Sequence, residues 1–127
     1  MKKLNVEDVM TGLVVKLHPD DTVREAAFRL AQNDVSGAPV VQEGKVVGIV
    51  SGSELVRAGA TRVGSVMTAH VITTLPTATI LEAASVMERH RVKRLPVCDD
   101  VGRLLGVVSR SDILGAIVRM HGDRRIA

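Results

Sequence analysis

Aromatic side chains are almost absent from this chain: of 127 residues, Phe28 is the sole ring, with no Trp and no Tyr. Proteins that hold single-stranded nucleic acid stack its bases on aromatic platforms, so that class loses support at once. The core must be built from Val, Leu, Ile, Ala and Met. Cys98 is the single cysteine, which excludes an internal disulfide and fits a reducing compartment. No apolar run approaches the length of a membrane span. The N-terminal Met1-Lys2-Lys3-Leu4-Asn5 soon meets Glu7 and Asp8, so no signal-peptide core develops. A cytoplasmic protein without membrane attachment is the expectation. Net charge is only +3, and the basic residues are dispersed apart from Lys93-Arg94 and Arg124-Arg125. That is compatible with an anionic ligand but falls short of a nucleic-acid footprint. His18, His70, His90 and His121 lack the spacing of a metal site, and none is expected.

What the chain has is a repeat. Val6 to Val41 can be laid on Val63 to Cys98 at an offset of 57, with 13 of 36 positions identical. One extra residue then enters, and Gly44 to Ala58 matches Gly102 to Ala116 at an offset of 58. Two copies are too few for a solenoid. They imply two half-domains, 6–60 and 61–119, packed about a pseudo-twofold axis with two related crevices, followed by a basic tail at 120–127. A lone half of this size has a marginal core, so the halves are expected to fold as one unit.

Each copy reads strand, helix, strand, strand, helix, an α+β arrangement of two β-α-β-β-α repeats. The apolar stretches Leu13 to Leu17 and Val71 to Leu75 end two residues and one residue before a proline, Pro19 and Pro76. Thr22-x-x-Glu25 and Thr79-x-x-Glu82 have the capping-box form of a helix start. Val23, Ala26, Ala27 and Leu30 follow at helical spacing, as do Ile80, Ala83, Ala84 and Met87. Ala38 to Val41 and Val46 to Val50 flank a turn at Glu43-Gly44 and read as a hairpin, as do Leu95 to Cys98 and Leu104 to Val108. A second helix is expected from about Ser53 and Ser111. Cys98 aligns with Val41 and reads as a small core residue. Met10 and Met67 read as packing or lid positions, and Asp20-Asp21 and Asp99-Asp100 as turn carboxylates.

The sharpest local pattern is Gly106-Val107-Val108-Ser109-Arg110-Ser111-Asp112, matched by Gly48-Ile49-Val50-Ser51-Gly52-Ser53-Glu54. A helix start offers unpaired amides and suits a phosphate. Ser109 and Ser111 would add hydroxyls and Arg110 a charge-assisted bond, while Asp112 would accept from both hydroxyls of a ribose. Ser-x-x-Asp and Ser-x-x-Glu are equally cap-like starts that need no ligand. The two roles can coexist.

The doubled order of Val-Met-Thr, a proline before a helix carrying Glu-Ala-Ala, an apolar-Pro-Val strand and Gly-apolar-apolar-Ser-x-x-Asp resembles a pair of CBS domains, the modules named after cystathionine β-synthase. The likeness covers roughly residues 6 to 119. It implies a regulatory module for adenosine-containing ligands such as AMP, ADP, ATP or S-adenosylmethionine. In that family the last motif holds phosphate and ribose, and adenine sits in an apolar slot before the Pro-Val strand, often from the opposite repeat. Carried over, Ser109, Arg110, Ser111 and Asp112 would face Ser36, Gly37, Ala38 and Pro39, with Lys16 near the phosphate. In the second crevice Ser51, Ser53 and Glu54 would face Lys93, Arg94, Leu95 and Pro96, with Thr73 beside them and Arg94 supplying the charge that Gly52 lacks. Glu54 stands where Asp is usual and Lys16 where the second copy has Thr73, so the Asp112 crevice is expected to be the better site.

The resemblance implies no catalysis and no required cofactor, the adenosine compound being a regulatory ligand. Output would pass to a separate effector protein or through assembly, with a homodimer of two such pairs as the expected form. A structural or partner-binding pair with empty crevices is the alternative, favoured by Glu54 and Lys16. An enzyme such as a nucleotide hydrolase would need a metal cluster or activated nucleophile, and no clustered His, Cys or carboxylate set supplies one.

Overall fold

The computed structural model describes residues 3–12, 15–57 and 61–121. Five helices occur there: α1 (Val6–Val9), α2 (Val23–Gln32), α3 (Gly52–Arg57), α4 (Ile80–His90) and α5 (Arg110–His121). Four strands accompany them: β1 (Gly37–Gln42), β2 (Lys45–Ser51), β3 (Arg94–Cys98) and β4 (Leu104–Ser109). A short 3-10 turn covers Val63–Ser65. The architecture is α+β, with one antiparallel hairpin per repeat, β1 with β2 and β3 with β4.

The helix starts form as their residue types dictate. The Thr22 amide donates to Glu25 Oε1 at 2.8 Å while the Glu25 amide donates to Thr22 Oγ1 at 3.0 Å. Thr79 and Glu82 repeat this at 2.8 and 3.1 Å. The backbone bond from Thr22, then its hydroxyl, holds the exposed Glu25 carboxyl below its ordinary value of 4.5, and Thr79 does the same to Glu82. Ala26 and Leu30 bury the inner face of α2, and Ile80, Ala83 and Met87 that of α4, whereas Ala27 is exposed. Each helix ends at a non-glycine residue in the left-handed region, Asp34 at φ 53° and Arg91 at φ 56°. The first hairpin turns on Glu43 and Gly44, both at positive φ, as the tightest hairpins require.

Among the described residues, the expected leading strands are reduced to one bridging residue each. Leu17 alone bridges Val40 in parallel, and Thr74 alone bridges Val97; Leu13 and Val14 lie outside the described residues. The Leu17 amide donates to the Pro39 carbonyl at 2.9 Å, and the Val41 amide to the Leu17 carbonyl at 2.7 Å. A parallel ladder would extend next through the amides of residues 39 and 19, and both are prolines with no N–H. Pro96 and Pro76 stop the Thr74 ladder in the same way. The conserved order of the repeat thus includes its own stop signals at both ends of this bridge.

The cores cross the repeat boundary. Val6 is fully buried with Ile80, Ala83, Met87, Leu95, Val97 and Val108 of the second repeat. Val63 is fully buried with Leu17, Ala26, Leu30, Val40 and Val50 of the first. Backbone bonds fix the exchange: Val6 N–H to Ala78 O at 2.8 Å and, equivalently, Val63 N–H to Asp21 O at 2.9 Å. Thr11 then pairs antiparallel with Val107 of β4, and Thr68 with Ile49 of β2. The hairpin tips also join, Val46 N–H to Gly102 O at 3.1 Å and Leu104 N–H to Gly44 O at 3.0 Å. Every one of these bonds has its partner under the repeat, which defines the pseudo-twofold. Each half lacks part of its own core without the other, the physical reason for folding as one unit. Of the expected tail, residues 122–127 lie outside the described residues, as do residues 59 and 60 of the joint between repeats.

Candidate functional site

The ends of β2 and β4 run directly into α3 and α5, and both junctions open on one groove of about 900 Å³ between the repeats. Its walls carry Ser36, Gly37, Ala38, Pro39, Ser51 and Glu54 from the first repeat, and Lys93, Arg94, Pro96, Ser109, Ser111 and Asp112 from the second. Two expected crevices are therefore halves of one cavity. This volume and a mixed apolar and polar lining suit a small-molecule ligand.

At the second junction the Ser109 amide donates to Asp112 Oδ2 at 2.9 Å, and the Asp112 amide to Ser109 Oγ at 3.0 Å. Ser109 Oγ and Ser111 Oγ lie 3.0 Å apart. The cap-like geometry is thus realised, and it leaves Asp112 Oδ1 without a hydrogen-bond partner among the described residues. At the first junction the Ser51 amide donates to Glu54 Oε1 at 2.8 Å. Glu54 Oε2 accepts from Thr68 Oγ1 at 3.0 Å. Both oxygens of the longer carboxylate are engaged by the protein. Thr11, the equivalent of Thr68, lines the groove but makes no hydrogen bond to Asp112 among the described residues.

Gly48 and Gly106 are required by close approach. A Cβ on Gly106 would lie 2.6 Å from Thr11 O and 3.0 Å from Met10 Sδ; one on Gly48 would lie 2.5 Å from Met67 Sδ. The two methionines therefore pack over the motif glycines of the opposite repeat.

Several expected residues stand elsewhere. Each segment's nearest junction is that of its own repeat: the ladder sets Gly37 opposite Ser51 and Arg94 opposite Ser109. The opposite repeat faces it only across the groove, because each antiparallel hairpin sets the start of its first strand beside the end of its second. The Arg110 amide is taken by Lys93 O at 2.8 Å, and its side chain is exposed and off the groove wall. Lys16, Ser53 and Thr73 are likewise exposed and off the wall. The Leu95 side chain faces the core, fully buried, because side chains alternate along β3. Cys98 is buried, and burial, then the Asp99 charge, pushes its thiol up, which suits a packing residue. Asp21 and Asp99 do accept turn amides, from His18 and from Val101 and Arg103. No group of three or more His, Cys, Asp or Glu that could hold a metal ion occurs among the described residues, nor does a helix long and apolar enough to cross a membrane.

Sequence reasoning missed Thr11, Asp34 and Arg91 on the groove wall and Thr68 behind Glu54. The signal was present: Thr11 and Thr68 sit in the duplicated Met-Thr pair, and Asp34 and Arg91 are equivalent positions just ahead of the Pro-Val strands.

This fold defines a paired-repeat architecture with a groove between its two halves. The CBS domain model matches residues 6–61 and 63–119, and the chain belongs to the CBS domain family. It is 30% identical over 116 residues to the CBS domain-containing protein YhcV of Bacillus subtilis, spanning 86% of this chain and 82% of that one. Its structure is similar to that of CBSX2 in complex with AMP, with TM-score 0.86 and 25% identity, over 92% of this chain and 98% of CBSX2. It is also similar to the CBS domain pair of MJ0100 in complex with 5′-methylthioadenosine and S-adenosyl-L-methionine. There the TM-score is 0.82 and the identity 26%, over 98% of this chain and all of that pair.

Proposed function

We propose that this chain is a non-catalytic regulatory module that binds one adenosine-containing ligand in the groove between its repeats, held mainly by the Asp112 half. The observation that carries this is Asp112, which lines a cavity of about 900 Å³ and whose Oδ1 has no hydrogen-bond partner among the described residues. A carboxylate oxygen there can accept from a ribose while the other oxygen keeps the helix capped. Ser109 and Ser111 add hydroxyls beside it, and Ala38, Pro39 and Pro96 supply apolar wall. Similarity to pairs complexed with AMP or with 5′-methylthioadenosine and S-adenosyl-L-methionine supports the ligand class.

Because both repeats build the groove, a ligand that fits one arrangement of them better shifts the population toward it. The signal then reaches a separate effector or the module's own assembly in the cytoplasm. Outward-facing Phe28, Val56, Leu81, Leu114 and Val118 on α2 to α5 support a homodimer formed through the helices. A structural or partner-binding pair with an empty groove is the second reading, favoured by the self-capped junctions and by the hydrogen bond from Arg94 Nη1 to Ser36 Oγ, 3.0 Å, across the groove.

A thermal-shift panel on freshly refolded, ligand-free protein separates the two readings, with AMP, ADP, ATP, S-adenosylmethionine, GMP and NAD. A ligand at about 100 times its Kd stabilises the fold by about 2.7 kcal/mol, a shift of several degrees. A shift with adenine compounds supports the sensor; no shift with any compound supports the second reading.

A further inference from the structure

We infer that the second repeat carries a docking surface for an acidic segment of a partner protein, formed by Arg89, His90, Arg91, Lys93 and Arg110. The surface concerns the partner and stands whether or not a ligand fills the groove. The first repeat is the control for it. Its equivalent positions hold Gln32, Asn33, Asp34, Ser36 and Gly52, so the shared framework needs no cation at any of the five. In the second repeat the five come together from two helices and the chain before β3. Arg89 and His90 end α4, and Arg91 caps it in the left-handed region at φ 56°. Lys93 follows two residues on, and its carbonyl accepts the Arg110 amide at 2.8 Å, which fixes the start of α5 beside it. All five residues are exposed. Arg91 and Lys93 stand on the groove wall, whereas Arg89, His90 and Arg110 lie off it, so the cluster runs from the rim outward over the surface.

Helix chemistry explains only part of this cluster. Cations in the last turn of α4 offset its dipole, reason enough for Arg89 and His90. Arg110 is the first residue of α5, the end at which the dipole disfavours a cation, and Lys93 lies outside both helices. Internal pairing explains none of it, since the ion pairs among the described residues are His18 with Asp20 and Arg29 with Asp21. Glu88, the exposed acidic neighbour on α4, pairs with none of these cations there, and Asp112 accepts from the Ser109 amide. Like charges held together without counter-charges repel one another, and an anionic partner relieves that repulsion. A protein segment suits the surface better than nucleic acid or a membrane. The net charge is only +3, short of the broad basic face that duplex binding uses. The one aromatic residue, Phe28, belongs to α2 of the first repeat, so the cluster has no ring to stack on a base or enter a membrane interface.

The test measures binding of fluorescein-labelled oligoglutamate, a short DNA duplex of equal charge, and phosphatidylserine vesicles to the full chain. Wild type is expected to bind oligoglutamate more tightly than the duplex or the vesicles, and more weakly as salt rises. Arg89→Gln combined with Arg110→Gln is expected to lose about fivefold or more in oligoglutamate affinity, the worth of two exposed ion pairs. Arg89→Lys combined with Arg110→Lys keeps the charge and should bind as wild type does. Arg24→Gln combined with Arg103→Gln, which removes the same charge from exposed positions elsewhere, should change the affinity less than twofold. Equal losses in the two glutamine variants, or no binding of oligoglutamate by wild type, overturn the docking surface and leave the ligand-binding reading standing. Tighter binding of the duplex or the vesicles overturns the assignment to a protein partner.

Discussion

The two junctions descend from one repeated pattern and differ by a single methylene in their carboxylates, yet they do different things. Glu54 reaches Thr68 at 3.0 Å with one oxygen and the Ser51 amide at 2.8 Å with the other. Asp112, which lines the groove, accepts from the Ser109 amide at 2.9 Å and makes no hydrogen bond to Thr11, so its second oxygen has no partner among the described residues. The cap survives in both copies because it needs only one oxygen. What a ligand would use is the oxygen left over, and only the shorter side chain leaves one. The repeat thus keeps the capping role in both copies and leaves a carboxylate oxygen without a partner, among the described residues, in only one.

The largest expected effect falls on that oxygen. Asp112→Ala should weaken AMP binding by roughly tenfold to a hundredfold, the worth of hydrogen bonds to a charged group of about 1.5–3 kcal/mol. Glu54→Ala should change it by less than threefold, so equal losses measured by titration would break the comparison. Next comes the backbone crowding beneath each junction. Gly106→Ala drives a methyl into the Thr11 carbonyl, 2.6 Å away, and should cost about 1–3 kcal/mol in urea unfolding. Gly48→Ala meets first the flexible end of Met67 and should cost less. The smallest effect concerns a feature the halves share. Glu25 and Glu82 titrate below 4.5 in the fold, so their stabilisation is complete above that pH and fades as pH falls through their lowered values. Replacing both with Gln, which keeps the capping box, should flatten acid unfolding in that range without separating the two repeats.

The fold was legible because residue types with narrow uses recur at fixed offsets: capping threonines, hairpin glycines and alternating β-branched runs. The leading strands are shorter than the apolar stretches Leu13 to Leu17 and Val71 to Leu75 suggest, since each bridge is stopped by one proline on its own segment, Pro19 or Pro76, and by one on the paired strand, Pro39 or Pro96. The exchange of Val6 and Val63 between cores was not legible for a similar reason, because a repeat shows which residues are equivalent and not which copy they pack against. Of the candidate site, Asp112 and Ser109 were readable from the motif itself. Arg110 was not, since the ladder ties its amide to Lys93 and turns its side chain outward. Thr68 escaped because its importance depends on the length of Glu54, a contact made across the repeat boundary.

The most direct measurement is the number of AMP molecules bound per chain by calorimetric titration of refolded, ligand-free protein. One site per chain is the result that follows from an available Asp112 and an occupied Glu54. Two sites of equal affinity would show that the protein does not distinguish its junctions, and no binding of AMP or any other adenine compound would show that the groove is not a nucleotide site.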